Sequence, residues 1–296
     1  METLRQILIG MRPRQWTKNL LVFAGLLFAQ KAADAAAVLE ALAAFAVFCA
    51  LAGAIYLIND VLDAERDRLD PVKRDRPIAS GKLSVRTGVV AAVVLLVGGL
   101  VAGNFAAPGL LGVCLAYVGI SLAYSSYLKH LVIVDVFCVA SGFVLRAIAG
   151  AVAVRAEVSP WLIICTMLLS LFLALCKRRA ELVELGHEAV NHRATLAEYS
   201  PHLLDQMIAV MTASTLMSYC LYTIAERTVA VVGSTHLLLT IPFVIYGIFR
   251  YLYLVHMRGS GGHPDRVLLA DRPLQADLVL YIIAVALVLY HGHGGG

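Results

Sequence analysis

Apolar runs long enough to cross a lipid bilayer recur along the whole of this sequence. A helix needs roughly 20 consecutive apolar residues to span the hydrocarbon core, and such runs lie at about 19–36, 37–58, 86–105, 109–128, 131–153, 158–176, 206–226, 232–254 and 274–291. Their alanine, leucine and glycine show none of the two-residue alternation of barrel strands, and in lipid every backbone hydrogen bond must close within the segment. The sequence therefore predicts an all-α integral membrane protein of about nine transmembrane helices. Composition agrees, with 60% of residues hydrophobic and 15% charged, where a water-soluble domain is nearer a quarter charged. The net charge of +4 is diluted by apolar mass and argues against a nucleic-acid partner.

Charge distribution orients the chain. With nine spans, the amino terminus and the even-numbered connections share one side, and 20 of the 24 Lys and Arg fall there. Seven of them lie between Arg66 and Arg86 and four between Lys177 and Arg193, whereas Lys31, Arg155 and Arg227 lie opposite and Arg146 lies within a span. The positive-inside bias makes the amino terminus cytoplasmic. The long polar loops, at about 59–85, 177–205 and 255–273, are then cytoplasmic too. No linker or low-complexity tract interrupts them, so the sequence predicts a single transmembrane catalytic domain over 1–296 in the plasma (inner) membrane, its working face toward the cytoplasm. Nothing in it rules out a homo-oligomer.

Some features carry no function on this reading. Cys49, Cys114, Cys138, Cys165, Cys176 and Cys220 all sit in predicted spans without paired spacing, and read as small apolar residues. The start lacks a small-residue cleavage site, so no removable signal peptide is predicted. Residues 259–263 read as a flexible turn, and His291 and His293 as part of a tail without a functional site. Trp16 reads as an interfacial anchor, and His130, His187 and His192 as loop residues without catalytic duty.

Chemistry concentrates where the second span ends, in NDVLDAERD at 59–67. If the helix continues, Asn59, Asp63 and Asp67 recur at i, i+4 and i+8, and Asp60, Asp63 and Asp67 at i, i+3 and i+7. One face then carries three carboxylates and an amide. A charge near lipid costs about 2.5–3.5 kcal/mol at a helix centre, so a cation is expected among them. Hard oxygen ligands favour Mg2+, with Mn2+ as a substitute, and Mg2+ takes one or two carboxylates and fills its other positions with water and substrate phosphates. The alternative is a solvated acidic helix end balanced by Arg66, Arg68, Lys73 and Arg74. Directly downstream, Lys73, Arg74 and Arg76 precede a Pro-x-x-Ser-Gly turn, placing cations where they would meet the outer oxygens of a metal-bound diphosphate.

NDxxDxxxD ending the second span, RPIASG at 76–81 and YSSYLK at 124–129 together resemble the UbiA superfamily of intramembrane prenyltransferases. The resemblance covers essentially the whole chain and implies nine helices around a central cavity open to the bilayer. Most members carry a second Asp-rich motif after the sixth span. Here that place holds LCKRRAELVE at 175–184, a cationic cluster with scattered acids. This departure, with RPRQWTKNLLVFA at 12–24, resembles the branch that transfers 5-phosphoribose from phosphoribosyl diphosphate (PRPP) to decaprenyl or another polyprenyl phosphate, toward a lipid-linked arabinose donor for cell-wall polysaccharide.

That resemblance implies that Asn59, Asp60, Asp63 and Asp67 hold Mg2+, the three acids being catalytic. Lys73, Arg74, Arg76, Tyr124 and Lys129 become candidates for donor phosphates. Arg12, Lys18, Lys177 and Arg178 become candidates for the lipid phosphate or the donor 5-phosphate. Asp135 and Arg146, eleven positions apart in the fifth span, can share a helix face, and Arg146 is expected to face a cavity. Two rival functions stay open at this point: an aromatic prenyltransferase using a polyprenyl diphosphate, and a membrane transporter without catalysis. Against the transporter, the Asp-rich segment has no internal repeat.

Overall fold

The computed structural model describes the chain apart from residues 1, 72, 186–193, 259–266, 268–269 and 292–296. His187, His192, His293 and the turn expected at 259–263 lie outside the described residues, as does the side chain of His291. Twelve α-helices cover most of the rest: α1 (Glu2–Gly10), α2 (Val22–Phe28), α3 (Ala35–Leu62), α4 (Ala64–Leu69), α5 (Val85–Ala106), α6 (Leu110–Ser126), α7 (Val134–Ala153), α8 (Pro160–Leu185), α9 (Pro201–Ile224), α10 (Glu226–Val232), α11 (Ile241–Arg258) and α12 (Arg272–His291). Among the described residues there is no strand.

The protein is an integral membrane protein. Among the described residues, seven helical segments are long and apolar enough to cross a bilayer, and α6 is a shorter apolar helix of 17 residues. Eight of the nine expected spans thus have a helix close to the expected place. The first does not. Where a span was expected at about 19–36, a 3-10 helix over Pro13–Leu21 runs into the seven-residue α2. Polar residues end it: Gln30 adopts a left-handed φ of 56°, Lys31 turns its ammonium to the Val154 carbonyl at 2.7 Å, and the Asp34 carboxylate caps α3 by accepting from the Ala36 N–H at 2.9 Å. The α1 helix was not anticipated.

The helices group into two compact units, one of residues 1–126 and 145–158, the other of residues 127–144 and 159–296, so the boundary falls inside α7. In the first unit, α3 is the central element. Ala44, Phe48, Leu51 and Ile55 recur along one of its faces and join Leu110, Cys114 and Tyr117 of α6 in one buried cluster. Small residues set the spacing: a Cβ on Gly99 of α5 would meet Leu51 at 2.8 Å, and one on Gly103 would meet Cys114 at 3.2 Å. On its outer side, α5 exposes Val85, Val89, Val93, Val97 and Val101, one every four residues. Such a stripe is a liability in water and a fitting surface against lipid tails.

In the second unit, Phe172 and Leu175 of α8 pack with Leu204 and Ile208 of α9 and Tyr251 and Leu254 of α11. Ser200 starts α9 by accepting from the Leu203 N–H at 3.1 Å, with Pro201 in the first turn where no N–H is needed. All six cysteines are free thiols, and Cys49, Cys114 and Cys176 are buried, Cys49 accepting from the Asn19 Nδ2 at 3.2 Å.

The tightest approach is between α2 and the second half of α7. A Cβ on Gly150 would overlap the Val22 carbonyl oxygen, and one on Gly25 would overlap the backbone of Gly150 and Ala151. Gly98 and Gly112, in contrast, have open space where a Cβ would go. Gly150→Ala is therefore expected to cost about 1–3 kcal/mol of overpacking, seen as a lower melting temperature of the detergent-solubilised protein. Gly98→Ala and Gly112→Ala should leave it unchanged, and equal effects at all three positions would refute the backbone contact.

Candidate active site

Asp60 lies in the last turn of α3 and is 2% exposed, and Asp67 lies in α4 and is 4% exposed. Ionised carboxylates so deeply buried require positive partners. Arg76 supplies one: its Nη1 is 3.2 Å from Asp60 Oδ1 and 2.6 Å from Asp67 Oδ2, so a single guanidinium nitrogen bridges the two acids. Arg12 supplies the other, its Nη2 donating to the same Asp60 Oδ1 while its guanidinium lies 4.9 Å above the Tyr56 ring. Both arginine side chains remain about a quarter exposed. The cluster is thus buried on its acidic side and open on its basic side.

Local sequence explains how each group arrives there. Arg12 caps the 3-10 helix with φ 55° and ψ 65°, a left-handed conformation that a residue with a Cβ adopts at a cost of roughly 1–3 kcal/mol. Arg76 opens the Pro-Ile-Ala-Ser-Gly turn. Ile78 and Leu83 plug that turn into the buried cluster of Leu57 and Ala64, the Arg68 Nε donates to the Ala79 carbonyl at 3.3 Å, and Gly81 provides the positive φ of 79° that closes it. The Ser84 hydroxyl then caps α5 by accepting from the Thr87 N–H at 3.1 Å. The conspicuous turn motif is what aims Arg76 back at the acids.

The expected uninterrupted acidic face does not form. Asp63 sits between α3 and α4 with φ −96° and ψ 6°, although its N–H still reaches the Asn59 carbonyl at 2.9 Å and the Asp67 N–H reaches its own at 2.8 Å. Of the three acids, Asp60 and Asp67 converge on Arg76, while Asp63 and Asn59 are half-buried at the junction. Among the described residues, no three carboxylates, imidazoles or thiols are placed to hold a metal ion by themselves. Two converging carboxylates nonetheless fit Mg2+, which completes its shell with water and phosphate oxygens. The Arg76 nitrogen between them marks a point where both acids face one positive charge.

The other proposed phosphate ligands are dispersed. Lys73 pairs with Asp70 at 3.0 Å, Arg74 is exposed, and Lys18 and Tyr124 are half-buried in the first unit. In the second unit Lys129 is half-buried, and Lys177 lies 3.6 Å from Glu181. Arg178, expected to meet a phosphate, is 3% exposed and bound by acids of the protein itself: its Nε donates to Asp135 at 3.1 Å and its Nη1 to Glu181. The Tyr199 hydroxyl donates to the other Asp135 oxygen at 3.3 Å and accepts from the Ile133 N–H at 2.7 Å. Burial raises the Tyr199 phenol above its ordinary value, so it stays a donor at neutral pH.

Arg146 reaches groups other than Asp135. Its Nε donates to Asn19 Oδ1 at 2.7 Å, its Nη2 to the Tyr117 hydroxyl at 2.9 Å, and its guanidinium lies 4.7 Å from the Tyr117 ring centre. Asp135 and Arg146 fall in different compact units, each with its own partners. Sequence reasoning missed Tyr56, Asn19, Tyr117 and Tyr199. For Tyr56 a signal was present, since it precedes Asp60 by four residues and so shares its helix face. The others depend on contacts far apart in sequence.

Comparison with known proteins agrees with this architecture. The model of the UbiA prenyltransferase family matches residues 19–270. The decaprenyl-phosphate phosphoribosyltransferase of Corynebacterium glutamicum is 35% identical over 289 residues, covering 95% of this chain and 86% of that protein. The protein of the same name from Mycolicibacterium smegmatis is 35% identical over 294 residues, covering 95% and 91%. A UbiA homologue from Archaeoglobus fulgidus bound to GPP and Mg2+ superposes with a TM-score of 0.72 at 21% identity, over 96% of this chain and 99% of that one.

The two neighbouring cations after the sixth expected span, Lys177 and Arg178, should separate in experiment. Arg178→Ala strands the buried Asp135 carboxylate and is expected to destabilise the protein by about 3–5 kcal/mol, with partial recovery in Arg178→Ala/Asp135→Asn. Lys177→Ala should leave the melting temperature within error of the parent. A melting temperature unaffected by Arg178→Ala would disprove the structural role of that pair.

Proposed function

The chain belongs to the UbiA prenyltransferase family, and from that premise we propose that it transfers 5-phosphoribose from PRPP to decaprenyl or another polyprenyl phosphate, releasing diphosphate. The observation that carries this reading is near-full-length identity of 35% to relatives bearing the name decaprenyl-phosphate phosphoribosyltransferase. The site supports it independently, because a pair of buried carboxylates flanked by guanidinium groups suits a magnesium diphosphate. On this reading residues 1–296 act as a single transmembrane catalytic domain in the plasma membrane, with the Asp60 end of α3 toward the cytoplasm, and the product leads toward a lipid-linked arabinose donor for cell-wall polysaccharide.

Each group has a physical task in this proposal. Asp60 and Asp67, with Asp63 and Asn59 at the helix junction, are the ligands for Mg2+, which when bound neutralises charge on the departing diphosphate. Arg76, with Lys73 and Arg74 beside it, binds the outer oxygens of that diphosphate, Arg76 being aimed by its turn and needing little reorganisation. Arg12, at the start of the 3-10 helix, and Lys18, in its last turn, serve a second phosphate. Lys177 and Lys129 remain candidates for a phosphate, whereas Arg178 is assigned to holding Asp135. The acceptor oxygen is already anionic, so the reaction needs no strong general base. Positioning and charge stabilisation supply most of the rate.

Purified protein incubated with Mg2+, labelled PRPP and decaprenyl phosphate is expected to yield lipid-linked phosphoribose and diphosphate. Decaprenol, which keeps the tail but lacks the nucleophilic phosphate, should give no product, and Asp67→Asn should lower turnover by at least about a hundredfold, as loss of a metal ligand does. Turnover of 4-hydroxybenzoate with a polyprenyl diphosphate, and none with PRPP, would replace this reaction with aromatic prenyl transfer.

A further inference from the structure

The two carboxylates of the site are already saturated with positive charge from the chain. Arg76 Nη1 touches Asp60 and Asp67 at 3.2 and 2.6 Å, and Arg12 shares the same Asp60 oxygen. Two buried negative charges and two guanidinium charges sum to zero. A divalent cation competes for the oxygens that Arg76 holds, and if it arrives alone it leaves Asp60, Asp67, Arg12 and Arg76 with a surplus of two positive charges, which the half-buried Asp63 at the helix junction reduces to one but does not cancel. Near a membrane-embedded helix end that surplus is poorly screened and costly. A diphosphate arriving with the cation removes the surplus and gives the displaced guanidinium groups new acceptors of matching geometry. Their side chains, a quarter exposed, have an open side on which to find it.

We infer that Arg76 and Arg12 are competitors of the metal as well as ligands of the phosphate, so that this chain binds its divalent cation and a diphosphate together and excludes the cation alone. The inference rests on the proposed placement of the metal at Asp60 and Asp67, but not on ribose transfer or on the identity of the acceptor. It distinguishes Arg76 from an ordinary phosphate ligand by the sign of one effect: removing the guanidinium should strengthen binding of the bare cation while weakening binding of the diphosphate. A residue that only bound phosphate would leave the bare cation unaffected.

The test uses the full chain in lipid nanodiscs at about pH 8, with Mn2+ as probe and electron paramagnetic resonance to count the free ion. Titrations are run with Mn2+ alone and with inorganic pyrophosphate, corrected for the complex the two form in solution. The parent is expected to bind Mn2+ at least about tenfold more tightly when pyrophosphate is present. Arg76→Gln should bind Mn2+ alone about tenfold more tightly than the parent and lose most of the pyrophosphate-dependent gain. Arg12→Gln should move the same way by a smaller factor, and it decides the matter if Arg76→Gln does not fold. Equal Mn2+ affinity of the parent with and without pyrophosphate would overturn the inference, as would unchanged or weaker Mn2+ binding by a folded Arg76→Gln. Coupled binding without turnover of PRPP would instead count against the proposed reaction alone, and turnover of PRPP with uncoupled Mn2+ against this inference alone.

Discussion

Two carboxylates buried at the end of an apolar helix impose the central electrostatic requirement on this protein. Asp60 and Asp67 lie where an ionised oxygen without a positive partner would be untenable, and much of the surrounding structure can be read as delivery of that charge. The left-handed backbone at Arg12, the plug formed by Ile78 and Leu83, and the helix start at Ser84 each fix a segment that carries or aims a guanidinium. Tyr56 supports Arg12 from the same helix face as Asp60. An enzyme of phosphorylated substrates gains from this arrangement, since charges fixed by the fold need not be reordered when charge shifts during the reaction.

Three solutions to the burial of an arginine occur in one chain. Arg76 is shared between two acids and keeps an exposed edge, Arg178 is enclosed by Asp135 and Glu181, and Arg146 is received by an amide oxygen, a phenol and an aromatic face. A guanidinium surrounded by acids of its own protein is a structural pin, and only one that retains an open side is available to a ligand. Charge alone therefore does not nominate a phosphate site; the geometry of what already satisfies the charge does.

That distinction marks the limit of what the sequence made legible. Helix content, the position of eight apolar spans, and the choice of Asp60, Asp67 and Arg76 as candidates follow from periodicity, spacing and resemblance to a family. The short broken entry at 19–36 does not, because the residues that end α2 act through a side chain reaching the distant Val154 carbonyl and through the left-handed turn at Gln30. The pairing of Arg178 with Asp135 was likewise hidden, since the two lie 43 positions apart and nothing local distinguishes Arg178 from Lys177 beside it, both having Glu181 within reach. The interruption at Asp63 reduced a regular three-acid face to a converging pair, a change of a few tens of degrees in one residue's backbone that no spacing rule encodes.

The valines that α5 turns outward at every fourth residue have a thermodynamic meaning beyond their apolarity. In a helix the branched Cβ of valine admits essentially one rotamer, so these side chains are fixed before any neighbour arrives. Acyl chains that lie against them need freeze no side-chain motion, and the conformational entropy lost at the contact falls mainly on the lipid. Along this edge the protein presents the bilayer with a stiff ribbed wall, whose match to lipids of different chain order is set by the rigidity of its surface rather than by its polarity.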